Sequence, residues 1–92
     1  MTDKISKTVT ICNQRGLHAR ASAKFVKLAE TFDAEVTVTK AGTEVSGKSI
    51  MGLLVLAAGP GTEIEIAGEG AKAGAAVDAL INLVTSRFGE DE

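Results

Sequence analysis

His18 is the only histidine of the chain, and it lies in the stretch Gly16-Leu17-His18-Ala19-Arg20-Ala21-Ser22-Ala23-Lys24-Phe25, where a strand-like run gives way to a helical pattern. A neutral imidazole nitrogen is a nucleophile that can take up a group covalently and hand it on. If His18 is a helix N-cap, Ala19, Arg20 and Ala21 occupy the first helical positions, and their amides have no intrahelical partners. Those amides and the positive end of the helix dipole make a seat for an anion. A phosphoryl group is the cargo that suits both features. Arg20 would add a charged donor fork matched to phosphate oxygens. The helix end disfavours imidazolium, so the ring is expected to be neutral and nucleophilic around neutral pH. The plainer reading is that a histidine at a helix start is only a weak polar cap. Residues two apart do not share a helix face, so Arg20 meets His18 only by folding back over the cap. On the residues alone the two readings stand level.

Holding such a ring takes a strand, a turn and a helix start, and the sequence supplies them in that order. Thr8-Val9-Thr10-Ile11-Cys12 alternates, with Val9 and Ile11 on one face, as a half-buried strand does. Asn13-Gln14-Arg15-Gly16 is a polar turn in which Gly16 permits a sharp bend, and Leu17 can pack back on the helix as a staple. From Ala19 to about Glu30, Ala23, Phe25, Val26, Leu28 and Ala29 recur at helical spacing, with Lys24 and Lys27 between them. Lys24 reads as part of an ordinary solvated face.

The second half repeats the alternation of elements. Ala34-Glu35-Val36-Thr37-Val38-Thr39 is a strand, and Lys40-Ala41-Gly42-Thr43 turns it into a short one around Val45, with Gly42 supplying a positive φ. Ser49 is placed to cap a short helix in the apolar run from Ile50 to Ala58, which the turn Gly59-Pro60-Gly61 ends. That run is apolar on every side. Leu53, Leu54 and Leu56 are assigned to the core, and Ile50 and Met51 in the first turn to a surface patch. Thr62-Glu63-Ile64-Glu65-Ile66 is the last strand. A helix over about Ala71 to Phe88 follows, with the stripe Ala73, Val77, Leu80, Val84 and Phe88, and Gly89 just past its end. Gly74 inside it costs about 1 kcal/mol against alanine, a cost that close packing on the sheet would explain but that the sequence itself does not account for. The order βαββαβα predicts one sheet covered on one side by helices.

Length and composition bound the function. The 92 residues make one small domain, 1–92, with Gly89-Glu90-Asp91-Glu92 read as a solvated acidic tail. A net charge of −2 without Trp or Tyr argues against nucleic acid. One cysteine and one histidine cannot build the usual structural zinc site, so no metal and no cofactor is expected. Cys12 is read as a small residue near a strand end, without chemistry. The N-terminal stretch lacks the apolar core of a signal peptide, and no apolar run spans a bilayer. A cytoplasmic monomer, neither secreted nor inserted in a membrane, is the expectation.

Gly16-Leu17-His18-Ala19-Arg20 followed by Ala23-Lys24-Phe25-Val26, together with Lys48-Ser49-Ile50-Met51-Gly52, resembles the HPr/NPr family of phosphocarrier proteins over nearly the whole chain. The resemblance implies an α+β fold, an open-faced β-sandwich whose four-stranded antiparallel sheet has the order 1-4-2-3 and carries three helices on one face. It implies that His18 is phosphorylated on Nδ1, with Arg20 beside it and the amides of Ala19, Arg20 and Ala21 around the phosphoryl group. Enzyme I, charged by phosphoenolpyruvate, is the implied donor, and an EIIA-type protein the acceptor. Ser49 matches the serine that an HPr serine kinase/phosphorylase modifies. The implied docking surface comprises Leu17, Lys27, Lys48, Ile50 and Met51. Family members commonly carry proline where this chain has Ala21, so the first helical turn here keeps one more N–H. Two other classes stand against a shuttle: a module that binds anions without covalent change, and a hydrolase. The hydrolase is the weaker, because no second acid or base accompanies His18.

Overall fold

Four strands and three helices alternate along the chain in a computed structural model that describes residues 4–90. Strand β1 (Lys4–Thr10) leads to α1 (Ala19–Ala29). The hairpin β2 (Glu35–Lys40) and β3 (Thr43–Ser46) comes next, then α2 (Ile50–Leu56), β4 (Glu63–Glu69) and α3 (Ala73–Thr85). A short 3-10 turn (Arg87–Gly89) closes the described chain. The sheet is antiparallel throughout with the order β1-β4-β2-β3, the α+β open-faced arrangement that the resemblance implies.

Alternation explains the one-sided covering. Val9, Ile64, Ile66, Val36 and Val38 turn toward the helices and are buried, whereas Thr8, Thr10, Glu63, Glu65 and Glu35 face outward and are exposed. Phe25, Val26, Leu53, Leu56, Val77, Leu80 and Val84 close the core from the helical side. The pairing of β1 with β4 runs in register from Lys4↔Glu69 to Thr10↔Glu63, so the first strand begins well before Thr8 and stops short of Cys12. Ile11 still engages the loop before β4, donating to Thr62 O and accepting from Gly61 N, both at 2.8 Å.

Several boundaries depart from the sequence expectation for identifiable reasons. Helix α2 ends at Leu56, and the left-handed conformation of its C-cap Ala57 (φ 52°) stops it before Gly59-Pro60-Gly61 is reached. Strand β4 continues through Gly68 to Glu69. A Cβ on Gly68 would meet Val77 Cγ2 at 3.0 Å and Ala73 O at 3.1 Å, so close packing of helix on sheet is bought at Gly68. At Gly74 an added Cβ would meet only the tip of Ile5, at 3.3 Å. Helix α3 ends at Thr85, and Phe88 reaches the core by a different route. Arg87 and Phe88 both have positive φ, 60° and 55°, which folds the chain back and buries Phe88 to 1% exposure. Ala41 and Gly42 likewise both have positive φ, as a tight two-residue hairpin turn requires.

Candidate functional site

The segment before His18 is pinned on both sides. Asn13 is fully buried, and its amide nitrogen donates to Gly16 O at 2.9 Å, closing the turn that a Gly16 N to Asn13 O bond of 3.2 Å also closes. Gly16 has φ +65°, and a Cβ on it would lie 2.4 Å from Ala58 O. Leu17 N donates to that same carbonyl at 2.9 Å. With the backbone held this way, the Leu17 side chain is driven inward and is only 4% exposed. It therefore serves the core, which corrects its assignment to the docking surface.

His18 is the N-cap of α1, with extended backbone (φ −75°, ψ 179°). The first bond of the helix runs from Ser22 N to His18 O at 2.8 Å, so the amides of Ala19, Arg20 and Ala21 precede it. One of them is already engaged: Arg20 N donates to His18 Nδ1 at 3.3 Å. Helix α1 starts at Ala19 without a proline at position 21, and Ala21 is fully buried. Ser22, buried as well, donates its hydroxyl to Leu17 O at 3.2 Å, a second tie across the cap. Arg20 itself is exposed at the helix tip.

The other ring nitrogen meets a residue that the sequence reading assigned to a solvated tail. His18 Nε2 lies 2.6 Å from Glu90 Oε2, and Asn13 Nδ2 donates to Glu90 Oε1 at 3.0 Å. The side chains of His18 and Glu90 are 24% and 15% exposed. Glu90 thus leaves the expected tail, of which Asp91 and Glu92 lie outside the described residues. Lys24, expected on a solvated face, anchors the same segment by donating to Phe88 O at 2.7 Å. Since a carboxylate can only accept, Nε2 carries the proton, and Nδ1, which accepts from Arg20, keeps its lone pair. The helix end is therefore not the only field at the ring: its positive pole lies at Nδ1 and a carboxylate at Nε2.

Burial works against the charged form of Glu90, but hydrogen bonds from His18 and Asn13, with the favourable field of the His18 and Lys24 side chains, outweigh it and hold the carboxyl below the ordinary 4.5 of a glutamate. A depressed carboxyl contributes stability that is present above the unfolded value and lost as pH falls through the folded one. Glu90→Gln should therefore be less stable than the parent above pH 4.5, with the gap closing as the pH drops below that value. Urea unfolding of both proteins across the acid range measures the gap; a constant difference would contradict this assignment.

The second region, at α2, is built around Ser49. Its hydroxyl accepts from Gly52 N at 3.0 Å, the N-cap geometry. Ile50 is 40% and Met51 71% exposed, and Val55, one turn beyond Met51, is 68% exposed. Leu54, assigned to the core on sequence, is only partly buried. Met51 and Val55 share a face at i and i+4, a spacing that could have added Val55 to the patch of Ile50 and Met51. Lys27 and Lys48 are exposed. Helices α1 and α2 pack against each other, which sets both regions on neighbouring elements. Cys12 donates to Val84 O at 3.3 Å, a structural contact.

Among the described residues no group of three or more His, Cys, Asp or Glu could hold a metal ion, and no helix is long and apolar enough to cross a membrane. The family model described as "PTS HPr component phosphorylation site" matches residues 5–86. The chain belongs to the HPr family. It is 49% identical over 88 residues to the phosphocarrier protein HPr of Neisseria meningitidis, covering 96% of this chain and 99% of that one. The phosphocarrier protein NPr of Shewanella violacea is 46% identical over 87 residues, 95% of this chain and 96% of its own. An HPr from Thermoanaerobacter tengcongensis superposes with a TM-score of 0.92 at 38% identity, covering 96% of this chain and 99% of that structure. Membership makes the chain a phosphocarrier of the phosphotransferase system, a carrier and not a catalyst. Glu90 lies beyond the residues that the HPr family model matches.

Proposed function

We propose that the chain accepts a phosphoryl group on His18 Nδ1 from phosphoenolpyruvate-charged enzyme I and passes it to a histidine of an EIIA-type protein. The observation that carries this reading is the Arg20 N to His18 Nδ1 contact of 3.3 Å, which aims the lone pair at a helix N-terminus whose first three amides precede the first helical bond. The bond is long and yields easily. As Nδ1 attacks phosphorus, the donor's bond to phosphorus breaks and its electron pair stays with the donor. The amides of Ala19, Arg20 and Ala21 then turn to the phosphoryl oxygens. Arg20 adds its guanidinium in the docked complex, where a partner's surface excludes water and strengthens each charge contact. A seat open to solvent suits a carrier that must release its load.

Docking is assigned to the α2 surface of Ile50 and Met51, extended by Val55, with Lys27 and Lys48 as the basic rim toward an acidic partner. Exposed apolar side chains grouped on one helix support this assignment. Incubation with enzyme I and phosphoenolpyruvate tests the whole reading by mass. One phosphoryl group is expected, lost in mild acid. No gain would favour a module that binds anions at the helix tip without covalent change.

Ser49 is proposed as a regulatory site for a serine kinase of the HPr type. A phosphate there adds about −1.5 to −2 charge at a helix N-terminus, which tolerates it, in the middle of an apolar docking patch, which does not. Ser49→Asp is expected to keep the fold and to exchange phosphoryl groups with His18 on the order of ten-fold more slowly. An exchange rate equal to the parent's would remove Ser49 from the regulatory role.

A further inference from the structure

We infer that Glu90 is a positioning residue for phosphoryl transfer: held by Asn13, its carboxylate fixes the His18 proton on Nε2 and offsets the charge that the ring acquires when Nδ1 is phosphorylated. This rests on the carrier reading above and adds to it a residue far away in sequence, 72 positions from the histidine.

The geometry is that of a built contact. Glu90 Oε2 is 2.6 Å from His18 Nε2, short in the direction that charge assistance shortens a bond, and Oε1 is held at 3.0 Å by the amide nitrogen of a fully buried asparagine. Asn13 spends its second N–H on Gly16 O at 2.9 Å, while its own Oδ1 is buried without a partner. That orientation leaves an acceptor orphaned inside the protein, a cost tolerated where both N–H groups meet acceptors. The backbone behind Glu90 is fixed too: Phe88 is in the core, and Phe88 O accepts from Lys24 Nζ at 2.7 Å. The groups that face the carboxylate are thus the His18 ring, the Asn13 amide and, at longer range, the Lys24 ammonium of α1.

The chemistry makes use of this arrangement in both directions. When the Nδ1 lone pair forms the bond to phosphorus, the donor's bond breaks and its electron pair leaves with the donor. The Nε2 proton stays where it is. The ring of the phosphorylated protein is then a cation, and the anion that offsets it is Glu90. Onward transfer reverses the sequence: the acceptor's lone pair attacks phosphorus, the Nδ1–P pair returns to the ring, and the positive charge disappears. A carboxylate behind an imidazole that becomes imidazolium is the logic of the hydrolase triads, here applied to a phosphoryl group. Glu90 also covers Nε2, so Nδ1 is the nitrogen left with an available lone pair.

The test uses enzyme I, phosphoenolpyruvate and the full chain carrying Glu90→Gln, which removes the charge at nearly constant shape, and Glu90→Ala. The rate of phosphorylation at saturating chain should fall about ten- to a hundred-fold in both variants, the range for losing a hydrogen bond to a charged group. KM for the chain as substrate should stay within about two-fold, because Glu90 lies behind the ring and acts on the transition state. In the unphosphorylated parent the Nε2 proton should be visible by nitrogen-edited NMR, and in Glu90→Ala it should be lost to solvent exchange. A change in KM alone would point to a merely structural role and overturn the inference. So would a Glu90→Gln rate within about two-fold of the parent's, or an Nε2 proton that exchanges alike in parent and Glu90→Ala. If the parent itself takes no phosphoryl group, the carrier reading fails; if the parent is charged and the glutamine variant keeps pace, only the role of Glu90 does.

Discussion

His18→Asn is expected to take up no phosphoryl group from enzyme I while remaining folded. Asparagine is among the best N-cap residues, so the start of α1 loses its imidazole without losing its cap. The helix keeps its first bond, Ser22 N to His18 O, which is a backbone contact. What disappears is the ring, and with it both the lone pair at Nδ1 and the partner of Glu90. Stability should therefore fall by about 1–3 kcal/mol for the Glu90 carboxylate left without its partner, and His18→Ala should cost about 1 kcal/mol more for the missing cap. Intact mass after incubation with enzyme I and phosphoenolpyruvate reads the first expectation, and thermal unfolding the second. An acid-labile phosphoryl group on His18→Asn would mean that another residue carries the cargo.

Gly16→Ala is expected to be the most damaging single methyl near the site, costing about 2–4 kcal/mol. Two effects add. A residue other than glycine is strained at φ +65°, and the new Cβ would stand 2.4 Å from Ala58 O and 2.8 Å from Gly59 Cα, which are backbone atoms with little freedom to move. Gly42→Ala is the control. Its φ is +87°, but a Cβ there meets nothing within 4 Å, so only the strain, about 1–2 kcal/mol, should appear. The difference between the two variants in urea isolates the clash. Relief of that clash must part Leu17 N from Ala58 O, a 2.9 Å bond next to His18, and phosphoryl transfer should fall along with stability. Equal costs at Gly16 and Gly42 would show that the turn yields and does not pin the ring.

The elements near His18 were readable because their signals are local. A strand alternates, a helix start has a cap and an apolar period, and a hairpin has a glycine; each is written within a few residues. Helix α1 begins at Ala19 and α2 is capped by Ser49 as those signals indicate. The ends of elements were less readable, since they follow from what the chain meets elsewhere. Strand β4 runs on to Glu69 because Lys4, Ile5 and Ser6 of β1 continue the ladder, and Gly68 is a strand residue because α3 lies against it. The stripe of α3 selected the right buried residues, yet Phe88 is carried into the core by a left-handed turn. An apolar period reports which side chains go inward and not which backbone takes them there. Leu17 and Leu54 show the same limit from both sides, one assigned to the surface and buried, the other assigned to the core and half-covered.

The amino-acid sequence by itself determined where the lone imidazole stands, because a histidine before a run of helix-forming residues sets both the free amides of the helix start and the ring beside them. Only the tertiary structure decided which ring nitrogen keeps the lone pair. That choice depends on Glu90 and Asn13, brought to Nε2 by a backbone reversal at Arg87 and Phe88 and by the burial of Phe88. A contact between residues so far apart in the chain comes from the packing of α3 over the sheet, and no spacing in the sequence records it.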